Sequence, residues 1–206
     1  MKIGPKYKIA RRLGDAIFNK TQSPRFAMVE SKKRANITKK RKHRSNITEY
    51  GTQLLEQQRV RYTYGISTRQ LHNYIEKAKR NKTSAVVALS TLLERRLDNV
   101  IYRSGIAPTR QAARQFVTHG HIDVNSKRLG IPSYQVEIGD IITVRPRSQT
   151  RPIFALRKEL IKDTHTPSWI LLDPEKVIVN IKSLPVAGDG ESTLNLSLVV
   201  QFYSRV

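Results

Sequence analysis

Arginines and lysines are the side chains of this 206-residue chain best placed to do chemistry, and the chemistry they offer is phosphate binding. Arg110 and Arg114 stand four apart, with Gln111 and Gln115 beside them. On a helix that spacing puts two guanidinium groups on one outer face, and Thr109 is suited to cap the helix they start. A helix N-terminus and two planar forks receive phosphate oxygens well. Lys127 and Arg128 follow an Asn125-Ser126 turn, from which they reach an RNA backbone across a shallow minor groove; Asn125 serves either the turn or the ligand. Arg96 and Arg103 lie on the preceding helical stretch, off its apolar stripe, where contact with phosphate and plain solvation are both open. Arg59, Arg61, Tyr62, Tyr64 and Arg69 make an aromatic and basic cluster around a helix–helix turn. Base stacking suits that cluster, although the two tyrosines fit a core equally well. Lys6, Lys8, Arg11 and Arg12, and then Lys39, Lys40, Arg41, Lys42 and Arg44, neutralise phosphates without reading sequence.

Other chemistries find little support. There is no cysteine, which excludes disulfides, thiolate-bound zinc and a thiol nucleophile. His119-Gly-His121 has a spacing of two and no third ligand nearby, so no metal is expected, and His119 stays among the RNA-contact candidates. Asp140 after Gly139 reads as a turn residue. No carboxylates pair for acid–base work, no glycine-rich phosphate loop occurs, and no cofactor is expected.

The positive charge is patterned. Lys and Arg number 38 against 16 Asp and Glu, a net +22. Residues 1–44 carry 15 basic and 2 acidic side chains, residues 59–128 carry 14 and 4, and residues 145–158 add five basic and no acid. Residues 159–206 are slightly acidic. A field of one sign repels itself in a lone compact chain, so a polyanionic partner is expected. Nucleic acid comes first and an anionic membrane surface second. No apolar run is long enough to cross a bilayer, and the first residues lack the apolar stretch of a signal peptide.

The elements that must position these groups follow from the pattern of apolar residues. Residues 1–48 show no sustained apolar period and are expected to form an extended basic arm that orders on its partner. Tyr50, Leu54 and the stem of Arg61 share a helical face, and Gly65 stops that helix. Ser67 and Gln70 make a capping box for a second helix over 68–80, carrying Leu71, Ile75 and Ala78. Leu89, Leu93, Leu97, Val100 and Ile101 stripe a longer third helix that ends near Gly105. A short fourth helix runs from Thr109 to Gly120, with Ala113, Phe116 and Val117 inward. The period then changes to two: Ile122 and Val124, the Asn125-Ser126 turn, then Val136, Ile138, Ile142 and Val144 read as strands. Residues 153–163 look helical, and Val177–Val179 and Leu194–Tyr203 alternate like strands. The expected class is α+β, divided into a basic arm (1–48), a helical domain (49–92), a two-helix and mainly antiparallel sheet module (93–160) and a C-terminal segment whose strands pack back on the body (161–206).

The stretch ERRLDNVIYRSGIAPTRQAARQFVTHGHIDVNSKRLGIPSYQVEIGDIITVR, residues 94–145, resembles the RNA-binding module named after small-subunit ribosomal protein number four. Pseudouridine synthases and other RNA-handling proteins share that module. The flanking segments MKIGPKYKIARRLGD, EYGTQLLEQQRVRYTYGISTRQLHNYIEKAKR, TPSWILLD and FYSR extend the resemblance, in order, to the ribosomal family itself. That resemblance implies direct binding to small-subunit (16S-type) rRNA early in assembly, at a junction in the body of the subunit. It also implies a place at the mRNA entry side next to ribosomal protein number five, and an influence on accuracy. Asp98 in Arg96-Leu97-Asp98 is superficially similar to the catalytic acid of pseudouridine synthases, but no catalytic domain follows it, and a helix acid pairing with a neighbouring arginine is the preferred reading. An RNA-modifying enzyme and an mRNA-binding regulator remain the alternatives to a non-catalytic ribosomal constituent.

Two departures stand out. ESKKRANITKKRKHRS holds neither the glycines nor the zinc-binding cysteines that many bacterial members carry there. Ser126 replaces the glycine of the usual Asn-Gly hairpin, at about 1 kcal/mol if a type I′ turn is kept. The segments ARRLGD, TRQL, HGHI and FYSR look most like plastid and cyanobacterial members, so a chloroplast ribosome is expected, with the bacterial cytoplasm or another organelle as the alternative.

Overall fold

The computed structural model describes residues 3–14, 17–40, 47–81, 83–161, 166–186 and 188–204. In chain order the elements are α1 (Lys6–Leu13), a 3-10 turn (Asn19–Gln22), α2 (Pro24–Lys40), α3 (Glu49–Tyr64), α4 (Thr68–Lys79), α5 (Ala85–Glu94), α6 (Leu97–Arg103) and α7 (Arg110–Thr118). Then come β1 (Ile122–Val124), β2 (Lys127–Arg128), β3 (Ile141–Val144), α8 (Pro146–Gln149), α9 (Pro152–Ile161), β4 (Ile170–Asp173), β5 (Ile178–Ile181) and α10 (Leu196–Ser204). They group into two compact units, residues 1–75 with 193–206, and residues 76–192.

In the first unit, α1 and α2 occupy the stretch expected to be an extended arm. Ala10, Phe18 and Phe26 are too sparse to show a period, yet they meet in a small core with Ile3, Ile9, Ile17 and Tyr62 against them. α3 starts at Thr48, whose hydroxyl accepts from the Gly51 N–H, and stops at Gly65 in the left-handed conformation. Its buried side chains include Gln53, Glu56, Gln57, Val60 and Tyr64, whereas Tyr50, expected inward, is exposed. The period misleads because this inner face is polar and finds its partners far along the chain. Gln57 Nε2 donates to the Tyr203 hydroxyl at 3.0 Å, and the Asn195 N–H donates to Glu56 Oε2 at 3.4 Å. Both partners belong to the end expected as a strand, where Tyr203 lies on the helix α10 and Asn195 just before it. α4 runs across the division between the units and opens on the expected capping box, with reciprocal Ser67–Gln70 bonds of 3.1 and 3.2 Å.

In the second unit, the predicted single helix from Leu89 to Ile101 is two. Arg96 takes an extended backbone (φ −66°, ψ 134°) and bridges to Gln135. The Leu97 N–H donates to the Tyr134 carbonyl and the Val136 N–H to that of Arg95, each at 2.9 Å. The strand expected at Val136 and Ile138 shrinks to this bridge, and Ile138 is exposed. The sheet is antiparallel in the order β2-β1-β3-β5-β4, with Ile122 opposite Val144, Val124 opposite Ile142, and Ile142 opposite Val179. These side chains join Val100 and Ile101 of α6, Ala113, Phe116 and Val117 of α7, Phe154 of α9 and Trp169 in one core. The class is α+β.

Candidate RNA interface

The core fixes which side of α7 faces out. Thr109 Oγ1 accepts from the Ala112 N–H at 3.0 Å and caps the helix, and with Ala113, Phe116 and Val117 buried, Gln111, Gln115, Thr118 and His119 are left exposed. Gln111, Gln115 and His119, at steps of four, form a row toward the end of the helix. Arg114 is about one-third exposed, with Nη1 3.6 Å from Asp98 Oδ2.

Arg110 does not share that outer face. Its Nε donates to Asn99 Oδ1 at 2.8 Å, an Nη donates to Glu191, and the guanidinium lies 4.3 Å from the Tyr102 ring centre. Arg103 is also drawn in: Nε and Nη2 donate to the Glu94 carboxylate at 3.0 and 3.1 Å, and Nη2 also reaches the Asp189 carbonyl at 3.3 Å. Glu94 is fully buried, and a buried carboxylate is stable only with its charge met. Burial pushes the Glu191 carboxyl up, but Arg110 and Arg103 outweigh it and hold the group below its usual range. Arg96 is a second correction. It is wholly buried, and its Nε and Nη2 bind the two oxygens of Asp98 at 3.0 and 2.7 Å, so it presents no surface to a phosphate. The pairing of Asp98 with a neighbouring arginine is the one expected from its place on the helix.

The hairpin keeps both central residues at positive φ, Asn125 at 50° and Ser126 at 64°, as a type I′ turn needs. Asn125 spends both ends of its amide within the fold, donating to Asp140 Oδ1 at 2.8 Å and accepting from the Ile141 N–H at 3.0 Å, which assigns it to the turn. Lys127 and Arg128 on β2 are exposed.

In the first unit, Lys8, Arg11 and Arg12 of α1 and Arg69 of α4 are exposed, and Arg11 pairs with Glu30 at 3.0 Å. Lys6 sits 5.7 Å above the Phe18 ring. Arg59 donates to the Leu13 carbonyl at 2.6 Å and pairs with Glu56. Tyr64 is buried, and Tyr62 packs edge-on to Phe18, so the open question about these tyrosines resolves toward packing; Arg61 lies 6.0 Å from the Tyr62 ring. Lys39 and Lys40 end α2, their side chains outside the described residues, as are Arg41, Lys42 and Arg44.

Three side chains that sequence reasoning did not single out as RNA contacts stand at the end of α7: His121, Arg145 and Arg151; Arg147 is exposed on α8. Arg145 N–H donates to the His121 carbonyl at 2.9 Å, and Arg151 Nη1 lies 3.4 Å from His121 Nε2. Burial, with Arg151, His119, Arg145 and Arg128 around it, lowers the His121 pKa from its usual 6.5. The signal for the arginines was the acid-free basic run 145–158.

With this geometry in hand, the chain can be compared with known proteins. The family model described as "Ribosomal protein S4/S9 N-terminal domain" matches residues 1–94, and that described as "S4 domain" matches residues 95–142. Small ribosomal subunit protein uS4 of Roseiflexus castenholzii is 41% identical over 205 residues, covering 98% of each chain. The chain belongs to the uS4 family. The uS4 protein of Aquifex aeolicus is 37% identical over 207 residues, covering 99% of this chain and 98% of its own, and that of Chromobacterium violaceum is 40% identical over 203, with 98% of each covered. In uS4 terms, α6, α7 and the β1–β2 hairpin lie within the S4-domain match, whereas Arg145, Arg147 and Arg151 lie beyond its end at residue 142.

Proposed function

We propose that this chain is a structural constituent of the small ribosomal subunit that binds 16S-type rRNA directly, nucleates assembly of the subunit body and contributes to mRNA entry and accuracy. One observation carries the reading: in a uS4-family chain, the α7 row Gln111–Gln115–His119, the partly exposed Arg114 and the β2 pair Lys127–Arg128 turn amide, imidazole and cationic groups outward from a rigid core. Such a surface grips phosphates and sugar edges, and geometry supplies specificity, because the duplex RNA major groove is too deep for side chains. The first unit separately exposes Lys8, Arg11, Arg12 and Arg69 to phosphates. Neighbours in this reading include ribosomal protein number five and mRNA at the entry channel. The ribosome is a plastid one on the strength of ARRLGD, TRQL, HGHI and FYSR; a bacterial cytoplasm is the alternative that the bacterial relatives favour.

The enzyme alternative loses ground because Asp98, the candidate catalytic acid, is buried and held bidentately by Arg96. Binding of the full chain to a 16S-type rRNA transcript, titrated from 50 to 200 mM salt, tests the reading. Affinity falls by about 10³ or more if six or more phosphates are engaged. An affinity independent of salt overturns it, and tighter binding to an mRNA leader than to rRNA makes regulation the primary role.

A further inference from the structure

The corner where α7 turns into β1 carries more positive charge than the fold uses. Gly120 sits at φ +68°, and a Cβ there would lie 2.2–2.6 Å from the Arg128 guanidinium, which therefore rests on the bare glycine. Arg145 Nη1 reaches the Gly120 carbonyl at 3.4 Å, and Arg151 Nη1 faces His121 Nε2 at the same distance. Three guanidinium groups, from β2, the residue after β3 and the residue before α9, thus converge on one dipeptide. Among the described residues, the one carboxylate in the cluster's ion pairs is Asp123, 3.8 Å from Arg145 Nε. The Arg128 guanidinium makes no hydrogen bond to a described residue. The Arg103–Arg110 cluster, by contrast, is balanced by Glu94 and Glu191.

We infer that this corner is a clamp for one backbone phosphate of the bound RNA, held by Arg128, Arg145 and Arg151 over the Gly120–His121 peptide. It rests on the rRNA-binding reading and deepens it. Planar forks converging from three elements suit the oxygens of a phosphodiester, and the clamp continues the exposed α7 row at His119, as a strand running along that face requires. His121 reports occupancy. The charged groups that bear on its ring are cationic or imidazole: His119 after α7, Arg128 from β2, Arg145 after β3 and Arg151 before α9; Ser148 Oγ of α8 bonds its Nδ1 at 2.9 Å, and Phe116 and Phe154 pack edge-on to it. A phosphate in the clamp favours the protonated ring, so binding takes up a proton and tightens as pH falls through the raised pKa of the bound ring.

The test uses the full chain and the 16S-type rRNA transcript. Replacing Arg128, Arg145 and Arg151 together by Gln is expected to weaken binding about tenfold or more and to lower the salt slope by about 0.7–0.9, the share of one phosphate. Circular dichroism verifies that the variant is folded. In the wild type, NMR titration of the His121 ring shows a higher pKa in the RNA complex than in the free chain. Wild-type binding that is strong and salt-dependent, combined with an unchanged variant slope or an unchanged His121 pKa, overturns the clamp and leaves the rRNA reading standing; loss of wild-type binding overturns both. A His121 shift produced equally by millimolar inorganic phosphate makes the corner a free-anion site and also overturns the clamp.

Discussion

Asp98→Asn removes one charge from a pair the fold encloses. Arg96 is wholly buried, and Asp98 meets its Nε and Nη2 with both carboxylate oxygens. The amide keeps the shape but turns an NH2 group toward the guanidinium and cancels the compensating charge. Breaking a buried pair from one side costs about 3–5 kcal/mol, since the remaining ion stays desolvated. Arg114, partly exposed and 3.6 Å from the same carboxylate, adds little to that figure. For a chain of this size each kcal/mol moves the melting midpoint by about 2–4 °C, so the expected fall is roughly 6–20 °C. Calorimetry reads it directly. Arg96→Met with Asp98→Leu, which removes both charges, recovers most of the loss. A single-variant cost below about 1 kcal/mol, the size of an exposed pair, refutes the reasoning, and so does a double variant no more stable than Asp98→Asn.

Three further outcomes follow from the same geometry. Glu191 has a carboxyl held below 4.5 in the fold, so its contribution to stability is full above that pH and is lost as pH falls through the lowered value; Glu191→Gln flattens that part of the pH–stability curve in urea melts. Ser126→Gly relieves a left-handed φ of 64° and raises stability by about 1 kcal/mol, read as a higher urea midpoint at an unchanged slope. Tyr203→Phe leaves the buried Gln57 amide without its acceptor and costs about 1–3 kcal/mol, with faster hydrogen exchange in α10.

Local rules were legible in the sequence wherever one residue type does one job. The Ser67–Gln70 box, the Thr109 cap, Gly65 and the Asn125-Ser126 turn each act within four residues of their own position, and the structure holds them all. Signals that depend on distant partners were not legible. Helical spacing places Arg110 and Arg114 on one side of α7, but it says nothing of Glu191, 81 residues on, toward which Arg110 bends. The Leu89–Ile101 stripe stays in phase across the break at Arg96, so periodicity cannot reveal the bridge to Gln135 that makes it. Leu194, Leu196, Leu198 and Val200 alternate, yet they lie at the segment that packs on α3 as a helix, because Gln57 and Glu56 need Tyr203 and Asn195 there. The basic run 145–158 was visible as charge; only the fold brings its arginines to Gly120.

The most direct measurement is a crosslink map of the full chain bound to small-subunit rRNA. The chain is expected to cosediment with small subunits and to crosslink through residues 111–128 and 145–151, with Arg96 silent. Crosslinks that avoid α7 and the hairpin, or a chain that stays out of the small-subunit fraction, contradict it.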